Sequence, residues 1–444
     1  MRALLRGVCF GLGVLAAPIP ARGQLSPVEE RIVAWIDDHD EEAIDLVQRV
    51  VDINSGTMNH AGVRAVGDVF RAELDALGFT TRWVAMPDSV DRGGHLFAER
   101  EGGPGAPRFL LIGHLDTVFE PDHPFQRFER VGERARGPGA VDMKSGDVAI
   151  VFALRALAAA GALDDASYVV ALIGDEESAG HPLAVSRGDL IEAGRRADAA
   201  LGFESGEPGK GVIARRGSSR WTLRVSGHEA HSSGVFGERA GSGAIYETAR
   251  ILWRFHEDVR GPRTLTFNPG IVLGGTELAF DDTEKRGTAF GKTNVVAQTA
   301  LVDGDLRFLT EEEKETARAE MRAIVAESLP RTSGEIVFED RYPAMPPTAG
   351  NERLLEIYSD VSEDLGFGEV EPYDPASRGA ADISFVAPYV DGIDGLGPSG
   401  EGAHSPNETL DLASVAAATR RAAIFLHRLA DAVSVAERTQ AGVP

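Results

Sequence analysis

The chain has 444 residues, 43% hydrophobic and 26% charged, with a formal net charge of −24. That length exceeds one ordinary core and predicts two domains. The composition is that of a globular protein, and so acidic a surface repels phosphate backbones and argues against nucleic acid as a partner.

At the N-terminus, Arg2 and Arg6 precede an apolar stretch from Gly7 to about Ala17, and Ala21-Arg22-Gly23 places small residues ahead of Gln24. This is the layout of a cleaved secretion signal over residues 1–23. It points to a periplasmic or secreted protein with no stable membrane insertion after cleavage; a retained anchor is the alternative. Cys9, the only cysteine, lies in this segment. The mature chain would then have no disulfide, cysteine nucleophile or zinc–thiolate site. No later apolar run approaches the roughly 18 residues of a membrane span.

From about Ser26 to Leu77, apolar residues such as Ile32, Ile36, Ile44, Val47 and Val51 recur at helical spacing. Phe109 to Gly113 and Tyr168 to Gly174 are short apolar runs that end in polar loops, the mark of buried strands in a mostly parallel sheet. An alanine-rich helix, Val148 to Ala160, separates them, and Asp198 to Phe203 reads as a third strand. The pattern changes after Gly211. Ser219 to Ser226 alternates as a strand, a helix fits Gly243 to Phe255, and strands fit Thr264 to Leu273 and Asn294 to Phe308. A charged amphipathic helix, Glu311 to Ser328, and a strand at Glu335 to Glu339 follow. The order β-α-β-β-α-β is that of a small ferredoxin-like domain. The chain returns through Tyr342-Pro-Ala-Met-Pro-Pro and ends in a helix from about Leu412 to Val433. The expected fold class is α/β: a mixed, mostly parallel sheet flanked by helices, in two parts (24–212 and 341–444), with an inserted ferredoxin-like α+β domain (213–340).

Five segments carry chemistry. Gly113-His114-Leu115-Asp116 follows the first buried strand. Residues two apart in an extended segment point the same way, so His114 can bind a metal while Asp116 accepts the proton of the other ring nitrogen. Such a pair also occurs incidentally on surfaces. Asp142, in Gly137-Pro-Gly-Ala-Val-Asp-Met-Lys-Ser-Gly146, has two oxygens that could bridge two metals, or it could simply cap the helix that follows. Asp175-Glu176-Glu177 stands at the carboxyl end of the second strand, where open α/β sheets bind ligands. One acid could hold a metal and its neighbour a water; a solvated acidic turn is the alternative. Glu204 follows the third strand, and His404 lies in the glycine loop Gly400-Glu-Gly-Ala-His-Ser-Pro-Asn-Glu408. Nitrogen and oxygen donors without sulfur suit zinc, with cobalt or manganese as substitutes. Two such metals about 3.5–4 Å apart can activate water and polarise a carbonyl.

In this order and spacing, HLDTV, GPGAVDMKSG, GDEES, GFES, GHEAHSSG and GEGAHSPNE resemble the metallopeptidase family of glutamate carboxypeptidase, acetylornithine deacetylase and succinyl-diaminopimelate desuccinylase, most closely the glutamate carboxypeptidase branch. The resemblance covers nearly the whole mature chain. It implies two zinc ions, one held by His114 and Glu204, the other by Glu177 and His404, with Asp142 between them. It implies Glu176 as general base and Asp116 as the residue orienting His114. It makes residues 213–340 a lid and dimerisation domain of a homodimer, in which His231 reaches the partner's site and Asn294 and Arg307 bind substrate. The implied activity is release of a C-terminal amino acid, glutamate-like, from a small peptide or N-acyl amino acid. An N-acyl-amino-acid deacylase and a non-catalytic metal-dependent binding protein are the alternatives. Two positions depart from the family: Arg378-Gly-Ala-Ala-Asp382 stands where many relatives carry Gly-Gly-Thr-Asp, and His181 stands where a small residue is expected. Both are expected to alter the substrate pocket.

Overall fold

The computed structural model describes residues 25–440, so the expected secretion signal and Cys9 lie outside the described residues. The long helical stretch at the start is three helices: α1 (Pro27–Asp38), α2 (Asp40–Val51) and α3 (His60–Ala76). A capping box starts α1. Ser26 accepts from the Glu29 amide while the Glu29 carboxylate accepts from the Ser26 amide, which satisfies donors that a helix start leaves open. His39, at φ −123°, breaks the first two helices apart.

A hairpin follows, β1 (Thr80–Val84) and β2 (His95–Arg100), that the sequence pattern does not announce. Next come β3 (Arg108–His114), α4 (Ser145–Ala160), β4 (Ser167–Ile173), α5 (Gly188–Arg195) and β5 (Ala199–Gly202).

The inserted unit comprises β6 (Gly217–Ser226), α6 (Gly243–Arg254), β7 (Thr266–Gly275), a hairpin of β8 (Glu277–Asp281) and β9 (Arg286–Phe290), β10 (Thr299–Phe308), α7 (Glu311–Ala326) and β11 (Ser333–Asp340). Its sheet runs β7–β10–β6–β11, all antiparallel, which is the ferredoxin-like arrangement with an extra hairpin. One expectation needs correcting. Asn294 is not in a strand: β10 begins at Thr299, and the preceding residues turn, with the Val295 amide bonded to the Lys292 carbonyl.

The chain then returns as α8 (Ala349–Asp364), the short strand β12 (Gly392–Ile393) and α9 (Leu412–Gln440). The main sheet runs β1–β2–β4–β3–β5–β12, parallel from β4 to β12 and antiparallel at β2. The fold is therefore α/β with a mixed, mostly parallel sheet. Helix α4 is buried almost all round, against the sheet, α1, α2 and α9, which is why its sequence is apolar rather than amphipathic. Each large side chain buried there, such as Phe152 or Leu157, contributes about 1.5–3 kcal/mol. Among the described residues, no helix is long and apolar enough to cross a membrane.

The topology prepares the site. β4, β3 and β5 are adjacent and parallel, so their carboxyl ends sit side by side at one rim. His114 ends β3, Glu176 and Glu177 follow β4, and Glu204 follows β5.

Candidate metal centre

His114 is buried, and its Nδ1 lies 3.1 Å from the backbone oxygen of Asp116 and 3.4 Å from that residue's carboxylate. A proton on Nδ1 serves both acceptors and leaves the Nε2 lone pair free, facing the rim. Nε2 lies 3.3 Å from Asp142 Oδ1 and 3.7 Å from Glu204 Oε1. On the other side, His404 Nε2 is 3.1 Å from Asp142 Oδ2 and 2.9 Å from Glu177 Oε2. The two oxygens of Asp142 thus face different histidine–carboxylate pairs. Within each group, His114–Asp142–Glu204 and Asp142–Glu177–His404, the donor atoms lie within 4.8 Å of one another.

The electrostatics ask for positive charge. Burial, with Asp142 close by, pushes Glu204 up to about 7. Burial also raises Glu177, and raises Glu176 well above the usual carboxylate range, with Asp382, Glu204 and Glu177 adding to the effect. Burial favours the neutral form of Asp142 too, yet its bonds to His114 and His404 hold it below the usual range. Hydrogen bonds to Asp142 and Glu177 push His404 up to about 11. Cations compete with protons for imidazole and carboxylate donors of this kind. The donor set, all nitrogen and oxygen, fits a pair of zinc-like ions.

The surrounding chain holds these groups in place. Asp116 is fully buried, and its carboxylate accepts from the Glu176 amide (3.0 Å), the Glu177 amide (3.1 Å) and the Thr57 hydroxyl (2.6 Å). It therefore fixes the Glu176–Glu177 loop as well as standing beside His114. Glu408 went unassigned in the sequence, although it ends the His404 loop motif. Its carboxylate accepts from the amides of Gly139 (3.1 Å), Val141 (2.9 Å) and Asp142 (3.2 Å), tying the His404 loop to the Asp142 loop. His404 itself sits at φ +62°, a left-handed conformation that this loop imposes. Behind Glu204, Gly202 must be glycine: a Cβ there would lie 2.3 Å from Asp394, which pairs with the buried Arg215 at 2.7 Å.

A cavity of about 580 Å³ opens beside these groups. Glu176, Glu177 and His404 line it, and so do Arg92, His181, Arg307 and Arg341. Arg307 is bonded to Asp305 at 2.7 Å. His231 and Asn294 are brought together elsewhere on the lid: the backbones of His231 and Val295 form a bridge, and the Ser232 amide donates to the Asn294 oxygen at 2.9 Å. Neither is among the residues lining this cavity. His231 Nδ1 instead meets the Ser233 hydroxyl at 2.8 Å. Both departures from the family pattern reach the cavity, in different ways. His181 does line the cavity, whereas Arg378 turns away from it and donates to the Ser205 carbonyl at 2.5 Å, next to Glu204. Gly379 and Ala380, from the same departing stretch, do line the cavity, so that stretch reaches the pocket, though not through the Arg378 side chain. The guanidinium also lies over the Tyr373 ring, 5.3 Å from its centroid.

Residues 110–428 match the model of peptidase family M20/M25/M40. Carboxypeptidase G2 from Pseudomonas sp. (strain RS-16) is 25% identical over 390 residues, spanning 85% of this chain and 87% of the relative. Succinyl-diaminopimelate desuccinylase from Novosphingobium aromaticivorans is 36% identical over 208 residues, 43% of this chain and 52% of the relative, so that match spans about half of each. Among solved structures, aminopeptidase PepT from Bacillus cereus ATCC 10987 shares the fold, with a TM-score of 0.72 and 19% identity over 88% of this chain and 99% of that one. With the family match running from β3 into α9, the chain belongs to peptidase family M20/M25/M40 and is a metal-dependent hydrolase of its peptidase and amidohydrolase kind.

Proposed function

We propose that this chain is a two-zinc exopeptidase that releases a C-terminal, glutamate-like amino acid from small peptides or N-acyl amino acids. The observation that carries this reading is Asp142, whose two oxygens each face a histidine–carboxylate pair beside a cavity that also holds Glu176 and guanidinium groups. His114, Asp142 and Glu204 would hold one ion, and Asp142, Glu177 and His404 the other. When bound, zinc lowers the pKa of water and polarises the scissile carbonyl; cobalt or manganese can do the same. Glu176 takes the proton of the attacking water and passes it to the leaving nitrogen.

Arg307 holds the substrate's free carboxylate. Arg341 supports the preference for an acidic side chain: it lines the same cavity and has no ion pair among the described residues. The test is amino-acid release, read by mass spectrometry, from a panel of peptidyl and N-acylated amino acids. Release set by the C-terminal residue supports the exopeptidase. Release set by the acyl group favours the deacylase that the desuccinylase similarity suggests. For Arg341→Ala, KM for substrates ending in glutamate is expected to rise about 10-fold, with little change for those ending in an uncharged residue. Equal effects on both would leave the acidic preference without support.

The His231 role needs a second copy of the chain. The lid leaves Phe236, Ile245, Tyr246 and Trp253 exposed, an apolar surface of the kind a homodimer covers. In this reading the partner subunit's His231 stabilises the developing oxyanion. Mixing His231→Ala chains with Glu176→Gln chains, each inactive alone, should restore about a quarter of wild-type activity, because half of the dimers then carry one complete site. No recovery after subunit exchange would place His231 outside the mechanism.

A further inference from the structure

The two chain crossings between the lid and the main domain meet at Ser218, at the start of β6, and Arg341–Tyr342, just past β11. The Ser218 amide donates to the Tyr342 oxygen (2.8 Å), the Arg341 amide donates to the Ser218 oxygen (3.1 Å), and the Tyr342 amide donates to the Ser218 hydroxyl (3.3 Å). The Tyr342 side chain leaves this hinge and enters the main domain. Its hydroxyl donates to the backbone oxygen of Glu176 at 2.8 Å and accepts from Arg187 Nη2 at 3.1 Å.

Arg187 is fully buried. It donates to Asp175 Oδ1 at 2.5 Å, to Asp382 Oδ1 at 2.7 Å and to the Asp175 backbone oxygen at 3.2 Å. The Tyr342 ring packs edge-on against Phe385, with centroids 5.0 Å apart. Asp382 is the acid at the end of the Arg378-Gly-Ala-Ala-Asp stretch. The Glu176 backbone is thus held from both sides: Asp116 holds its N–H from within the main domain, and Tyr342 holds its C=O from the hinge.

We propose that Tyr342 is a positioning residue that ties the placement of the general base to the orientation of the lid. This rests on the reading of Glu176 as base. A rotation of the lid about the Ser218–Tyr342 pairing pulls on the phenol, and the phenol is bonded to the peptide that carries Glu176. Hinges that move with a lid are expected to absorb its motion; here the hinge also transmits it. The bond from Arg187 limits how far the phenol travels, so the carboxylate reaches its working position only with the lid in the matching orientation. Misplacement of a reacting group by about 1 Å is enough to cost about 100-fold in rate.

The test uses the full chain with zinc loaded, and Tyr342→Phe, which keeps the ring and its packing. Turnover, kcat, is expected to fall by about 10- to 100-fold, with KM and bound metal as in the wild type. In the metal-free protein, amide exchange over residues 174–178 is expected to accelerate, a readout that does not depend on catalysis. Ser218→Ala, which loosens the hinge but leaves the Arg187 cluster intact, should give the same pattern at smaller amplitude. Wild-type kcat in both variants overturns the proposal, as does a fall in kcat that merely follows lost metal or lost folded protein. Should Tyr342→Phe fail to fold, Ser218→Ala decides by the same readings. Faster exchange in Tyr342→Phe, together with near-wild-type turnover in Glu176→Gln, would remove the base assignment and with it this proposal's catalytic half, while the contact itself would stand.

Discussion

Glu176→Gln is expected to lower kcat by about 100- to 10,000-fold while leaving KM and bound metal almost unchanged. Glutamine keeps the shape of the side chain but cannot take up a proton at neutral pH. The neighbouring contacts survive the change, because Asp116 and Tyr342 hold the peptide group of residue 176 and not its side chain. The native carboxylate is destabilised by burial and by Asp382, Glu204 and Glu177 around it. A neutral amide removes that cost, so the thermal midpoint should hold or rise. A large loss of turnover without loss of stability separates chemistry from folding. Steady-state kinetics with metal analysis on the same preparation make the check. If kcat stays within about tenfold of the wild type, the proton is handled by another group.

Asp142→Ala is expected to abolish activity by removing the metals themselves. Each candidate centre would keep only two protein donors: His114 with Glu204, and Glu177 with His404. A catalytic zinc site ordinarily uses three protein donors with one position left open. Residues that merely orient such donors typically change metal affinity by about 10- to 100-fold, and loss of a shared donor should exceed that at both centres. The main-chain fold of the loop should persist, since Glu408 holds it through the amides of Gly139, Val141 and Asp142. The variant would then be folded and metal-poor, and its thermal midpoint would no longer rise with added zinc, because an ion that binds only the native state stabilises it by mass action. Metal content measured after dialysis against a mild chelator decides the matter. A full metal complement in Asp142→Ala would mean that Asp142 does not bridge.

Much of the framework was readable along the chain. The runs ending at Gly113 and Gly174 and the strand ending at Gly202 are apolar and bounded by polar loops, and all three proved to be adjacent strands of the main sheet. The alternation in Ser219–Ser226 and the charged helix after Thr310 placed the lid elements to within a few residues. The β1–β2 hairpin escaped because Thr80–Val84 is half-exposed and carries no clean alternation. Asn294 reads as strand in the sequence because Val295 and Val296 look like strand residues, while the turn at Lys292 and the pairing with His231 draw the segment into a loop.

The sequence by itself determined the donor chemistry, two imidazoles and a set of acids without thiols, and it placed most of them just past strands or within glycine loops. Both are local properties, written in apolar run length and in the residues that follow. The family resemblance already implied which donors pair; only the tertiary structure brought them within reach of one another, turned the two oxygens of Asp142 toward different histidines, and showed that the Asp116 carboxylate secures the loop carrying Glu176. The same holds for Arg378 facing Ser205, for Arg341 facing the cavity, and for the Tyr342 contact that crosses from the hinge to the Glu176 backbone. Each of these joins segments far apart in the chain. Their meeting depends on how the strands are ordered and where the lid is inserted, and short-range periodicity encodes neither.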